Sequence, residues 1–133
     1  YGLEKIDKAK SFDSLANYYF DNGDFQRAFQ NYKVAHEILP EDYANLQNMG
    51  ISKTQTLEYQ EALSYFNFAI DSLVIPDSNG RIYALRAATK LVLNDRIGAC
   101  EDLKIGVDKK DKLSIDLVLQ NCQDMIKSVE YIE

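Results

Sequence analysis

The chain has 133 residues, 46% hydrophobic and 27% charged, the balance of an ordinary globule with a core and room for one domain. Its 21 acidic and 15 basic residues leave a formal charge of -6, a field that repels phosphate backbones and anionic headgroups and argues against nucleic acid as a partner. The longest apolar runs, Leu91-Val92-Leu93 and Leu73-Val74-Ile75, fall far short of the roughly 20 residues that cross a bilayer, so no membrane insertion is expected. The first residue is Tyr1, and no charged stretch leads into an apolar one; any targeting segment is expected to lie outside the sequence, which reads as part of a larger protein.

Two prolines, six glycines and apolar residues spaced mostly by three and four predict an almost wholly helical chain. A first helix over 8–21 carries the stripe Phe12, Leu15, Ala16 and Tyr19, and Asp21-Asn22-Gly23-Asp24 turns the chain. A second, over 25–39, is stopped by Pro40. The third is expected over 42–56 with Leu46, Met49, Gly50 and Lys53, and the fourth over 59–72. The fifth, 80–93, carries Tyr83, Arg86, Ala87 and Lys90, and the sixth, 96–107, carries Ala99, Leu103 and Gly106. After the charged connector 109–112, Ile115, Val118, Leu119, Cys122, Met125, Ile126 and Val129 predict one long amphipathic helix over 114–131.

The run from Phe25 to Ala35 aligns with that from Tyr59 to Ala69 at an offset of 34 residues. Each places an aromatic, an alanine, an aromatic and an alanine at i, i+3, i+7 and i+10, so small and large side chains alternate along one helical stripe. Ala28 and Ala62 permit close approach of a neighbouring helix while Tyr32 and Phe66 fill the space beside it. From Ala62 to Ala99 the step is 37, and the three extra residues are expected in the loop 75–80.

Phe12, Leu15, Ala16, Tyr19, Ala28, Tyr32, Ala35 and Pro40 resemble the tetratricopeptide pattern W-x2-L-G-x2-Y, A-x3-F, A, P, with Phe12 in place of Trp. The resemblance, to bacterial proteins of this family in particular, implies an all-α fold: a right-handed superhelical array of three helix pairs, about 9–42, 43–76 and 80–113, closed by the capping helix in a single domain over 1–133. A cap is needed because stacked repeats bury each other's faces and the last one must end on a polar side, here Gln120, Gln123, Asp124 and Lys127.

Catalytic chemistry finds no foothold. His36 stands alone, without a second His or Cys at helical spacing, and reads as a surface residue. Set on a calcium-loop template, the turn around Gly23 puts Phe20 and Tyr18 where oxygen ligands belong. No phosphate-binding, nucleophile-elbow or zinc motif occurs, so no catalytic group, metal or cofactor is expected. Cys100, near the start of the sixth helix, and Cys122, on the cap's stripe, face the same packing interface. Buried free thiols in a reducing cytoplasm are the favoured state, and a disulfide in an exported protein is the alternative; the compartment stays open.

In the family, first helices line a concave groove that takes a peptide or protein segment. Carried onto this chain, the resemblance implies a groove of Asn17, Phe20, Gln47, Asn48, Ile51, Gln55, Arg81, Ala88, Leu91 and Val92, with Ala84 on the same face and Leu91 turned to the groove rather than the core. Relatives that grip an acidic chaperone tail use lysines, asparagines and an arginine. Asn17, Asn48 and Arg81 match those places, but Asp13 stands for a lysine and Leu85 for the arginine, which argues against such a tail. The expected function is a scaffold for protein interaction. The alternative is a structural spacer or self-association module without a separate ligand.

Overall fold

The computed structural model describes residues 2–72 and 80–125, and among them every regular element is a helix. They are α1 (Gly2–Asp21), α2 (Phe25–Ile38), α3 (Ala44–Gln55), α4 (Tyr59–Asp71), α5 (Arg81–Val92), α6 (Arg96–Asp108) and α7 (Lys112–Asn121), followed by a 3-10 turn, η1 (Gln123–Met125). The chain divides into two compact units, Tyr1–Leu73 and Val74–Glu133.

One turn, used four times, makes the helices fold back. After α1, α3, α5 and α6 come a residue in the left-handed region, Gly23 (φ 80°), Leu57 (φ 64°), Asn94 (φ 65°) or Lys110 (φ 63°), and then an acidic residue. The amide of that acidic residue reaches back to the carbonyl five before it: Asp24 to Tyr19 at 2.9 Å, Glu58 to Lys53 at 2.9 Å, Asp95 to Lys90 at 2.8 Å and Asp111 to Gly106 at 2.9 Å. This closes the outgoing helix in the Schellman manner. Three of the four acidic side chains then cap the incoming helix, Asp24 accepting from the Arg27 amide, Asp95 from Gly98 and Asp111 from Ser114.

In the first unit α1 packs on α2, α2 on α3 and α3 on α4. The stripe alanines Ala16, Ala28, Ala35, Ala62 and Ala69 are wholly buried, as is Phe66. Gly50 is required by that closeness, since a Cβ there would stand 2.6 Å from the Phe66 ring. In the second unit α5, α6 and α7 enclose a core of Ala84, Ala87, Ala99, Cys100, Leu103, Val107, Val118 and Cys122. Gly106 lets α7 come close: a Cβ there would fall on the Ser114 hydroxyl, which donates to Asp111 at 2.7 Å.

Some expectations need correction. The cap helix, expected over 114–131, ends at Asn121 and gives way to η1. The Asn121 carbonyl is taken by Arg96 Nε at 2.9 Å, and Cys122 closes the helix with its amide on Val118. Residues 126–131 of the expected cap, and the loop 75–79, lie outside the described residues. Helix α1 starts six residues before the expected Lys8, and Leu15 is 41% exposed rather than packed in the stripe. Cys100 and Cys122, favoured as free thiols, are joined in a disulfide. His36, read as a surface residue, is half-buried, edge-on to Phe68, with Nδ1 shut off from solvent and unpartnered.

Candidate functional site

In the first unit the candidates sit on α1 and α3. Asn17 is exposed, and its Oδ1 accepts a hydrogen bond from the Tyr32 hydroxyl, which fixes the amide against α2. Phe20 is half-buried, held edge-on by Phe25 with 5.0 Å between ring centres. On α3, Gln47, Asn48 and Ile51 are half-buried and Gln55 is exposed, the pattern of a helix face that is neither core nor fully solvated. Thr54 and Ser52 turn their hydroxyls back onto the Ile51 and Asn48 carbonyls, so both are satisfied within the helix itself.

The electrostatic focus of this unit is Asp13. Its Oδ1 is shut off from solvent without a hydrogen-bond partner. Burial first, and the neighbouring Asp42 carboxylate second, hold its carboxyl above the usual range. Burial, then Asp13, then Asp21 also push the Tyr32 phenol up. Two carboxyls, Asp13 and Asp42, therefore crowd one place in this unit.

In the second unit Arg81 opens α5 and is exposed, Ala88 is half-buried, and Val92 is 51% exposed. Leu91 is half-buried and packs against the α5–α7 core, so it is a wall of that core as well as a surface residue. Ala84, expected on the same face, is wholly buried and belongs to the core. Arg86 serves the architecture, since its Nε and Nη2 grip both oxygens of the buried Asp102 at 2.9 and 2.6 Å, and Lys90 reaches the same carboxylate at 2.9 Å.

Lys53, expected in the stripe of the third helix, has partners that its place in the repeat does not announce. It lies 4.2 Å from the centre of the Phe29 ring and pairs with Glu58 and Glu61, each at 3.2 Å. Burial lowers its pKa, but hydrogen bonds to Glu58 and Glu61 outweigh this and leave it raised. A lysine in an apolar stripe with acids five and eight residues on was the available signal. Among the described residues no group of three His, Cys, Asp or Glu could hold a metal ion. No described helix is long and apolar enough to cross a membrane.

The arrangement defines a class: paired antiparallel helices repeating on a common small-and-large stripe, the fold of tetratricopeptide repeat (TPR) domains. Solved TPR structures match across both units. The first TPR of Spaghetti (RPAP3), bound to the HSP90 peptide SRMEEVD, is 18% identical at a TM-score of 0.80, over 90% of this chain and 94% of that one. The Arabidopsis OM64 TPR domain is 13% identical at 0.80, over 92% and 99%. The TPR2B domain of yeast Sti1, in a complex with pHsp70, is 19% identical at 0.71, over 94% and 92%. No protein-family model matches the sequence, and no curated protein matches it.

Proposed function

We propose that the chain is a protein-interaction scaffold without catalytic activity, which holds an extended peptide or protein segment on the faces of its first helices. The observation that carries this reading is the fold, shared with TPR domains solved with bound peptides. Each unit supports it by itself: in the first, the half-buried Ile51 lies on the same helix as Gln47 and Asn48, apolar surface with amides that can satisfy a peptide backbone, and in the second Val92 of α5 is exposed. Affinity then comes from a few apolar anchors more than from charge, and salt has little effect.

The ligand is not an acidic chaperone tail. An arriving carboxylate would meet Asp13 beside Asp42, a like charge in a half-buried site, where tail-gripping relatives offer a lysine. The test is a peptide library selected on the isolated chain, with labelled SRMEEVD run beside it in fluorescence anisotropy. Recovery of a consensus with spaced apolar residues and no saturable binding of SRMEEVD is expected. Failure to enrich any consensus would contradict the scaffold reading, and tight binding of SRMEEVD would contradict the charge argument.

A further inference from the structure

The end of the cap is fastened differently from its beginning. The first turns of α7 are held by packing: Asp111 caps Ser114, Ser114 sits against Gly106, and Leu113, Ile115 and Leu117 lie on the core of the second unit. The last turn is held by the Cys100–Cys122 disulfide, Cα to Cα 5.9 Å, which spans 22 residues of chain. Beside it Arg96 donates from Nε to the Asn121 carbonyl and from Nη2 to Asp124. Cys100 is 5% exposed and Cys122 is fully buried, so the bond is shielded from a reductant while that turn is docked.

We propose that the disulfide is a redox-governed catch on the C-terminal end of the cap, with Arg96 as the latch that controls access to it. Oxidised, it holds Val118 to Asp124 on α6; reduced, that end comes away while the first turns stay docked. A dithiol reductant opens the catch by attack of one thiolate on a protein sulfur. A mixed disulfide forms and the other cysteine leaves as a thiolate, which takes up a proton. The second thiol of the reductant then displaces the remaining cysteine and closes its own disulfide, so two electrons and two protons pass to the cysteines. A carrier disulfide reverses both steps. Leu91 packs on the same core as Cys122, so the state of the catch is felt at a candidate contact residue.

Amide hydrogen exchange on the whole chain, oxidised and after reduction by dithiothreitol, reads the first part of the proposal. Protection at Val118–Cys122 should fall by about tenfold or more on reduction while that of Ile115–Leu117 changes little. Unchanged protection would overturn the catch, and so would joint loss of protection across α5, α6 and α7, which would make the bond a global staple. The second part is read by the rate at which dithiothreitol reduces the native protein, quenched by alkylation. Arg96→Ala should raise that rate by about fivefold, because attack waits on opening of the turn that Arg96 holds. An unchanged rate would remove Arg96 from the proposal.

Discussion

The two units build the same repeat but treat buried charge in opposite ways. In the second, Asp102 is 4% exposed at its side chain and is met by a two-pronged arginine and a lysine, so its lost hydration is offset by three charge-assisted hydrogen bonds. In the first, Asp13 has a buried oxygen with no donor and a second carboxylate beside it. A compensated charge of this sort fastens α5 to α6, whereas an uncompensated one subtracts from stability. The comparison therefore assigns the Asp102 network to architecture and leaves Asp13 outside it.

The largest effect that can break this contrast is at Asp102. Asp102→Ala removes the buried carboxylate that Arg86 and Lys90 both bind and should cost about 3 kcal/mol in urea unfolding. If removing Asp13 costs as much, the two carboxylates play the same part and the contrast is void. Next comes the stripe common to both units. Ala62→Leu forces a larger side chain between close helices and should cost about 1–3 kcal/mol, while Gln60→Leu, on an exposed position, should shift the midpoint by less than about 0.5 kcal/mol. Equal midpoints for the two variants would mean that the alanine does not set the helix spacing.

Smaller effects sharpen the picture. Leu57 holds the left-handed place that Gly23 fills in the first turn and is 70% exposed, so Leu57→Gly should stabilise by about 1 kcal/mol. Asp13→Asn should stabilise at neutral pH by less than about 1 kcal/mol, since solvent screens a half-buried carboxylate. The sign follows from the raised pKa: the folded chain binds the proton more tightly than the unfolded one, so the penalty is complete above the folded value. It disappears as pH falls below the ordinary carboxylate value of 3.8. Melting curves of wild type and variant should therefore converge in acid, and a gap that persists there would show that Asp13 acts through packing instead.

The 34-residue offset, the stripe alanines and the helix pairs were legible in the sequence because close packing leaves a periodic mark in residue size. Other features were not. Ala84 and Ala88 are both small and one turn apart, and only the packing of α6 and α7 puts the first in the core and leaves the second half-buried. The cost at Asp13 comes first from burial and then from Asp42, 29 residues away, and only the folded chain provides either. The apolar stripe through Cys122 looks continuous, yet the helix stops there because Arg96, from the start of α6, takes the Asn121 carbonyl. The four turns share an acidic residue after the left-handed position, but with Gly, Leu, Asn and Lys at that position the motif is hidden from composition.

The most direct test of the scaffold reading is a titration of a library-selected peptide against wild type and Val92→Glu, with the melting temperature of each recorded. Val92 is 51% exposed, so the new carboxylate should leave folding intact while placing an unpaired charge against an apolar anchor. The account predicts that affinity falls by about tenfold or more with the melting temperature unchanged. Undiminished affinity would show that the exposed face of α5 is not where the segment is held.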